Sequence, residues 1–387
     1  MTRVFLHVGT RKSGTTYLQR SLRRSFDALA EQGVNLLYPD RDEHARHQVV
    51  PLRRAASGDP DATATAEAAV ADLAGWIRER PTMTHVLTNE DLGELPRRSV
   101  DLLLDGLAEF EVHLVLTARH WGRTLPSEWQ QCMKQRDTVT YTEFLTAARD
   151  RTRGARRFLA RQDVPGMLDR WGGRLPRERV HVIAVPPPDR AEDTLVDLFS
   201  GLVGFDPATL QVPDEAANQS ISLPQAEMLR RVNIELDGRM RGDAYSRGVR
   251  EWLARKCLMR QERSSVRLPA EHVEWCAAAT REQYDGMLAR EVDLIGNPAD
   301  LVMDAAGTTG PDRVEPDQGD VLATAVATIA DLTEARWNEV QQLRRQLADV
   351  TAERDALQGR GPRSLVPRVR RRLGTTARRV RGRVGRA

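Results

Sequence analysis

The chain has 387 residues, 40% of them hydrophobic and 29% charged, a composition that suits a soluble globular protein with a sizeable core and room for one large α/β domain plus extensions. No run approaches the roughly 18 apolar residues that cross a bilayer, and the first strand-like segment already starts at Val4. Neither a spanning helix nor a secretory leader is therefore expected, and a cytoplasmic location is predicted. The net charge of +3 hides an asymmetry: Arg360 to Ala387 contain 11 arginines and no acid, which leaves the rest of the chain at −8. The three cysteines, Cys132, Cys257 and Cys276, are odd in number and lack C-x-x-C spacing, so reduced thiols are expected and no metal site.

The first stretch carries the most information. Val4-Phe5-Leu6-His7-Val8-Gly9 reads as a short apolar strand. Thr10-Arg11-Lys12-Ser13-Gly14-Thr15-Thr16 follows as a tight turn entering a helix. At a helix start the first N–H groups have no intrahelical partner and the dipole is positive, which makes a seat for phosphate or sulfate. Gly14 lets the backbone close on the anion, Lys12 adds a point charge, and Ser13, Thr15 and Thr16 offer hydroxyl donors. His7, two residues before Gly9, reads as a core histidine. Measured against a Walker A loop with Gly9 and Gly14 as its glycines, the lysine position holds Thr15 and the lysine lies before the glycine instead.

The order Lys-Ser-Gly-Thr-Thr resembles the 5′-phosphosulfate loop of sulfotransferases that use PAPS (3′-phosphoadenosine 5′-phosphosulfate). That resemblance implies a P-loop-related α/β fold, PAPS as co-substrate released as PAP, and sulfuryl transfer without a metal. It places Lys12 at the bridging oxygen and counts Arg11, Lys12, Ser13, Gly14, Thr15 and Thr16 with the cofactor.

A helix is expected from Thr15 to about Glu31, with Leu18, Leu22, Phe26 and Leu29 on one side. A strand at Val34–Leu37 leads to a polar loop through Arg46, where His44 and His47 read as a solvated face. An Ala-rich helix follows from about Asp61 to Arg80, ended by Pro81. The strand Thr84–Thr88 then delivers Asn89-Glu90-Asp91. A helix near Ser99–Phe110 precedes Glu111–Ala118, the clearest strand, whose end delivers Arg119 before a helix starting about Trp121. A helix around Met167–Trp171 precedes the run Val180–Val185. Continuous apolar strands alternating with helices imply a parallel sheet covered on both faces. Ligands of such sheets lie beyond the carboxyl ends of the strands, where Lys12, Glu90 and Arg119 are all expected.

The family's second signature, an arginine at a strand end and a serine eight residues on, is matched by Arg119 and Ser127, which the resemblance assigns to the 3′-phosphate. It offers a histidine or a glutamate as the base that takes the acceptor proton; here the strand end provides Glu90, with Asp91 better suited to cap the following turn. The family's basic glycine-containing loop has no clear counterpart, because Arg263-Ser264-Ser265 and Arg267 lack the glycine. The resemblance covers about residues 3 to 300. Its acceptor is a hydroxyl, with the glutamate tilting the choice towards a carbohydrate over another small metabolite. The rival readings are a P-loop kinase or NTPase and a non-catalytic nucleotide-binding module acting in assembly or membrane docking.

The remaining chain is read as a helical subdomain over about 223–292, made of Pro224–Leu236, Tyr245–Arg260 and Pro269–Arg290, then a linker over 301–320. In 321–358, Leu322, Val326, Ile329, Val340, Leu343, Leu347, Val350 and Leu357 occupy heptad a or d positions, interrupted by Thr333, Arg336 and Arg354. A coiled coil forming a homo-oligomer and an amphipathic helix docked on its own body both fit this pattern. The Arg-rich segment 360–387 reads by default as a disordered tail. If helical, it is a strip suited to an anionic membrane surface. Nucleic acid is disfavoured, since no aromatic interleaves the arginines.

Overall fold

Continuous runs rich in Val, Ile and Leu suit strands buried on both faces of a parallel sheet, and the runs at Val4–Leu6, Val86–Leu87, Leu114–Leu116 and Val182–Ile183 are such strands. The computed structural model describes residues 1–38, 45–188, 190, 192–211, 221–258, 261, 266–303 and 315–357. Its strands are β1 (Arg3–His7), β2 (Val34–Leu36), β3 (Thr84–Thr88), β4 (Glu111–Ala118), β5 (Val180–Ala184) and β6 (Asp293–Ile295). They form one sheet in the order β2-β3-β1-β4-β5-β6, every neighbouring pair parallel. β1 is thus flanked by β3 and β4, with Leu6 opposite Leu87 on one side and Leu114 on the other. The ends that carry Lys12, Glu90 and Arg119 are therefore adjacent. The α/β architecture with a parallel sheet between helices is the one expected.

Alternation along the strands splits the core. Leu6, Leu87, Leu114 and Val182 face one way and pack with residues of α4 (Pro60–Arg78), α5 (Arg97–Gly106) and α9 (Val164–Trp171), such as Leu73, Leu103 and Trp171. Phe5, Val86, Val115 and Ile183 face the other and pack with Leu18 and Leu22 of α1 (Thr15–Arg24), Leu29 of α2 (Phe26–Glu31) and Phe199 of α10 (Leu195–Val203).

The structure corrects several sequence expectations. The helix expected from Thr15 to Glu31 breaks at Ser25, whose hydroxyl accepts a hydrogen bond from the Gln211 backbone N–H at 2.7 Å. Between the loop expected through Arg46 and the Ala-rich helix, where no element was expected, lies a further helix, α3 (Val50–Ala55), with Pro51 in its first turn. β6 had no sequence signal because it has only three residues and begins with Asp293, whose carboxylate lies 2.7 Å from His181 Nδ1. Between α6 (Trp121–Lys134) and α9 lie α7 (Tyr141–Arg149) and α8 (Arg156–Gln162), neither of which was expected.

A third core joins α6, α7 and α8 through Trp129, Phe144 and Phe158 to the helices expected further on. These are α11 (Leu223–Leu236), the short α12 (Gly242–Tyr245) running into a π-helical segment at Ser246–Cys257, and α13 (Val273–Leu288). The final helix, α14, runs from Gln318 to Leu357. The chain divides into two compact units, 1–325 and 326–387. The described part of the second is 326–357, all helical. No described helix is long and apolar enough to cross a membrane. His44, Arg263-Ser264-Ser265 and the basic segment 360–387 lie outside the described residues.

Burial holds His7 and His120 down to about 4. His85, His113 and His272 also lie below the ordinary histidine value, burial being the first cause in each. An unfolded chain takes up these protons as the pH drops below about 6.5, while in the folded chain His7 and His120 resist until about 4 and the other three also stay neutral below the ordinary value. Their contribution is therefore intact above pH 6.5 and lost progressively as the pH falls towards 4, about 3 kcal/mol for His7 alone. Urea unfolding should show a lower midpoint at about pH 5 than at about pH 7.5; equal midpoints would mean that these rings are charged in the folded protein.

Candidate functional site

The loop after β1 is shaped by close backbone approach. Gly9 sits at φ +23°, and a Cβ there would lie 2.5 Å from Thr117 Oγ1 and 2.7 Å from Thr15 Cγ2, so no side chain fits. Thr10 donates both its N–H (2.9 Å) and its hydroxyl (3.0 Å) to the Thr117 carbonyl, tying the loop to the end of β4. Lys12 adopts φ +66°, a left-handed conformation that costs a residue with a side chain about 1–2 kcal/mol. Gly14 at φ +80° occupies the N-cap of α1, and its carbonyl accepts from the N–H groups of Tyr17 and Leu18. No side chain caps this helix and no acid lies in its first turn. The N–H groups of Thr15 and Thr16 precede the first intrahelical bond and remain at the positive end of the dipole.

Two of the side chains expected at the anion seat are used elsewhere. The Ser13 hydroxyl is fully buried, donating to the Thr10 carbonyl at 2.5 Å and lying 2.7 Å from Thr117 Oγ1. Thr117 Oγ1 in turn lies 3.2 Å from His7 Nε2, and His7 Nδ1 lies 2.7 Å from Thr88 Oγ1. This hydroxyl–imidazole chain runs beneath the loop across β4, β1 and β3, so Ser13 supports the loop with its side chain and His7 is a core residue as expected. Arg11 reaches Asp91 and donates from Nε to Glu94 Oε1 at 2.8 Å, while its carbonyl accepts from Gln162 Nε2 at 2.8 Å. Its charge is matched by two carboxylates; Arg11 is a clamp between the loop and the turn at Glu90–Glu94. Asp91 is thereby taken up by Arg11, and the cap it was expected to provide comes from Asn89, whose Oδ1 accepts from the Asp91 N–H at 2.9 Å.

Lys12 and Arg119 are differently placed. Lys12 is half-buried and makes no hydrogen bond or ion pair among the described residues. Its ammonium is held below the ordinary lysine value, first by burial and then by the charge of Arg119; Glu128 and Glu90 pull the other way. Arg119 emerges from β4 and folds over the first turn of α6. Its Nε donates to Thr124 Oγ1 at 3.2 Å, and one terminal nitrogen donates to the Arg123 carbonyl at 2.8 Å and Ser127 Oγ at 3.1 Å. All three acceptors are neutral. Burial, aided by Arg123, pulls this guanidinium down to about 9, leaving it charged at neutral pH. A guanidinium held by neutral groups beside a lysine without a partner is an arrangement that favours an added anion.

Glu90 lies in the same neighbourhood. It is buried at the end of β3, and its Oε2 accepts from Gln19 Nε2 of α1 at 2.7 Å. Arg267, by contrast, is exposed and offers its carbonyl to the Tyr141 hydroxyl. His47 is exposed on the turn before α3, as a solvated face requires.

A second carboxylate went unnoticed in the sequence. Glu128 is 2% exposed; its Oε1 receives Arg161 at 3.3 Å, and its Oε2 is buried with no hydrogen-bond partner among the described residues. Arg161 also donates to Glu94 at 2.9 Å, so Glu128, Arg161, Glu94 and Arg11 form one chain leading back to the loop. Glu128 lines a cleft of about 420 Å³ with Phe144 and Phe158, bordered by Arg136, Arg153 and Arg157. A helical glutamate next to Ser127 gives no sequence signal, since its burial depends on a partner 33 residues away.

No protein-family model matches this chain, and no curated protein matches it by sequence. Among solved structures it is similar to the crystal structure of a sulfotransferase from Alicyclobacillus acidocaldarius, with 14% identity and a TM-score of 0.33 over 63% of this chain and 99% of that one.

Proposed function

We propose that the protein transfers the sulfuryl group of PAPS to a hydroxyl of a carbohydrate or small metabolite, by in-line attack and without a metal. The observation that carries this reading is the half-buried Arg119, hydrogen-bonded among the described residues only to neutral groups, whose charge bears on a Lys12 with no partner among them at the tip of the loop. In this reading the N–H groups of Thr15 and Thr16, with Gly14 and Lys12, hold the 5′-phosphosulfate, and Arg119 with Ser127 holds the 3′-phosphate. The acceptor oxygen forms a bond to sulfur as the bond from sulfur to the 5′-phosphate oxygen breaks. The electron pair leaves on PAP, where Lys12 offsets the developing charge, and the acceptor proton passes to a carboxylate.

Glu90 is the base we assign. Glu128 is a second reading for that role, favoured by its unpartnered Oε2 and by its stronger influence on Lys12. The cleft beside Glu128 offers the acceptor a route of approach.

Calorimetric titration with PAP in the presence of a chelator tests the assignment. Binding without metal is expected, and Lys12→Ala should weaken it by about 1–3 kcal/mol, the scale of a charged hydrogen bond. Binding that requires magnesium would favour a kinase or NTPase. Absence of binding would remove the nucleotide site.

A further inference from the structure

We propose that the helical segment 326–354 pairs in register with the same segment of a second copy of this chain, as a parallel two-stranded coiled coil. Its seam alternates spacings of three and four without a slip. The a positions are Val326, Thr333, Val340, Leu347 and Arg354; the d positions are Ile329, Arg336, Leu343 and Val350. A strict seven-residue repeat over this length drifts slowly around a straight helix, and a left-handed supercoil keeps it facing one partner.

In the single chain this face is open to solvent: Val326 is 59% exposed, Ile329 64%, Leu343 56%, Leu347 68% and Val350 61%. An aliphatic stripe of that length, uncovered, calls for a matching stripe. In the heptad of Val340 and Leu343 a β-branched a residue is followed by leucine at d, the combination that suits two strands. The polar seam residues need not be buried as bare charges. Arg336 donates to Glu339 Oε2 at 2.6 Å and Arg354 to Asp355 Oδ1 at 2.8 Å, which carries both guanidinium groups out to the flanks.

The flanks choose the partner and its direction. In a parallel pair each g residue meets the e residue five positions on in the other strand. Glu339 then faces Arg344 of the second copy, twice by symmetry, and Leu332 faces Trp337, which is 62% exposed in the single chain. An antiparallel pair would set g against g and e against e, which separates Glu339 from Arg344.

Sedimentation and light scattering of the full chain at tens of micromolar should give twice the 43.4 kDa chain mass. The double variant Val340→Asp/Leu343→Asp should return 43.4 kDa. Glu339→Arg should weaken the dimer, and adding Arg344→Glu should restore it in part, the pairing of Arg336 with Glu339 being lost in both variants. In a Cys132→Ser background, Val350→Cys should cross-link to itself under mild oxidation, because equivalent d positions meet only in the parallel register. A monomeric unsubstituted chain, a higher oligomer, a dimer that survives the double aspartate variant, or one that fails to cross-link through position 350 would each overturn the proposal.

Discussion

Replacing Arg119 with methionine should abolish measurable PAP binding while leaving the unliganded protein at least as stable as before. The guanidinium spends its hydrogen bonds on the Thr124 and Ser127 hydroxyls and the Arg123 carbonyl, and no carboxylate is left unpaired by its removal. Those hydroxyls keep their own bonds, Thr124 donating to the His120 carbonyl and Ser127 to the Arg123 carbonyl, both at 3.2 Å. Methionine fills comparable space without a half-buried charge, and such exchanges are often neutral or stabilising by about 1 kcal/mol or more. The ligand, however, loses a forked donor. Two charge-assisted hydrogen bonds at about 1.5–3 kcal/mol each correspond to a loss of at least 100-fold in affinity. Titration and thermal unfolding together decide the matter: a variant that melts well below the parent yet binds PAP normally would make Arg119 a structural residue and end the phosphate assignment.

The second expected result separates two carboxylates. Glu90→Gln should eliminate sulfuryl transfer from labelled PAPS and leave PAP binding nearly intact. The substituted amide oxygen can still accept from Gln19, whose present partner is Glu90 Oε2 at 2.7 Å, so the fold around the loop is preserved. Removing a general base typically costs 10²–10⁴-fold in rate. Glu128→Gln is the companion. If Glu90 is the base, this variant loses only the pairing with Arg161 and retains most turnover; if turnover collapses there and survives in Glu90→Gln, the role passes to Glu128. The two results exclude each other, provided that both variants retain PAP affinity.

Local order along the chain carried much of the reading. Five of the six strands were legible because a continuous apolar run between turn residues has few other places to go, and β6 was missed because three residues starting with an aspartate carry no such run. The anion seat was legible because Gly9, Lys12, Gly14 and the following threonines act through the backbone of one short segment. The heptads of α14 were legible for the same reason, whereas α7 and α8 were not, their helical faces being buried against a core assembled from distant helices.

By itself, then, the sequence determined that a strand, a glycine-bracketed turn and a helix start follow one another, and that an arginine and a serine eight residues apart follow a later strand. What a side chain does once it arrives was decided by tertiary structure alone. Arg11 and Ser13 stand next to Lys12 in the chain and look equally available. Yet Arg11 is paired with acids 80 and 83 residues away, and Ser13 with a hydroxyl 104 residues away. The strand order that sets β1 between β3 and β4 creates those partners, and it leaves Lys12 and Arg119 as neighbouring charges with which no acid pairs among the described residues. Which polar groups are consumed by the fold and which remain for a ligand is a property of long-range pairing, and no local pattern encodes it.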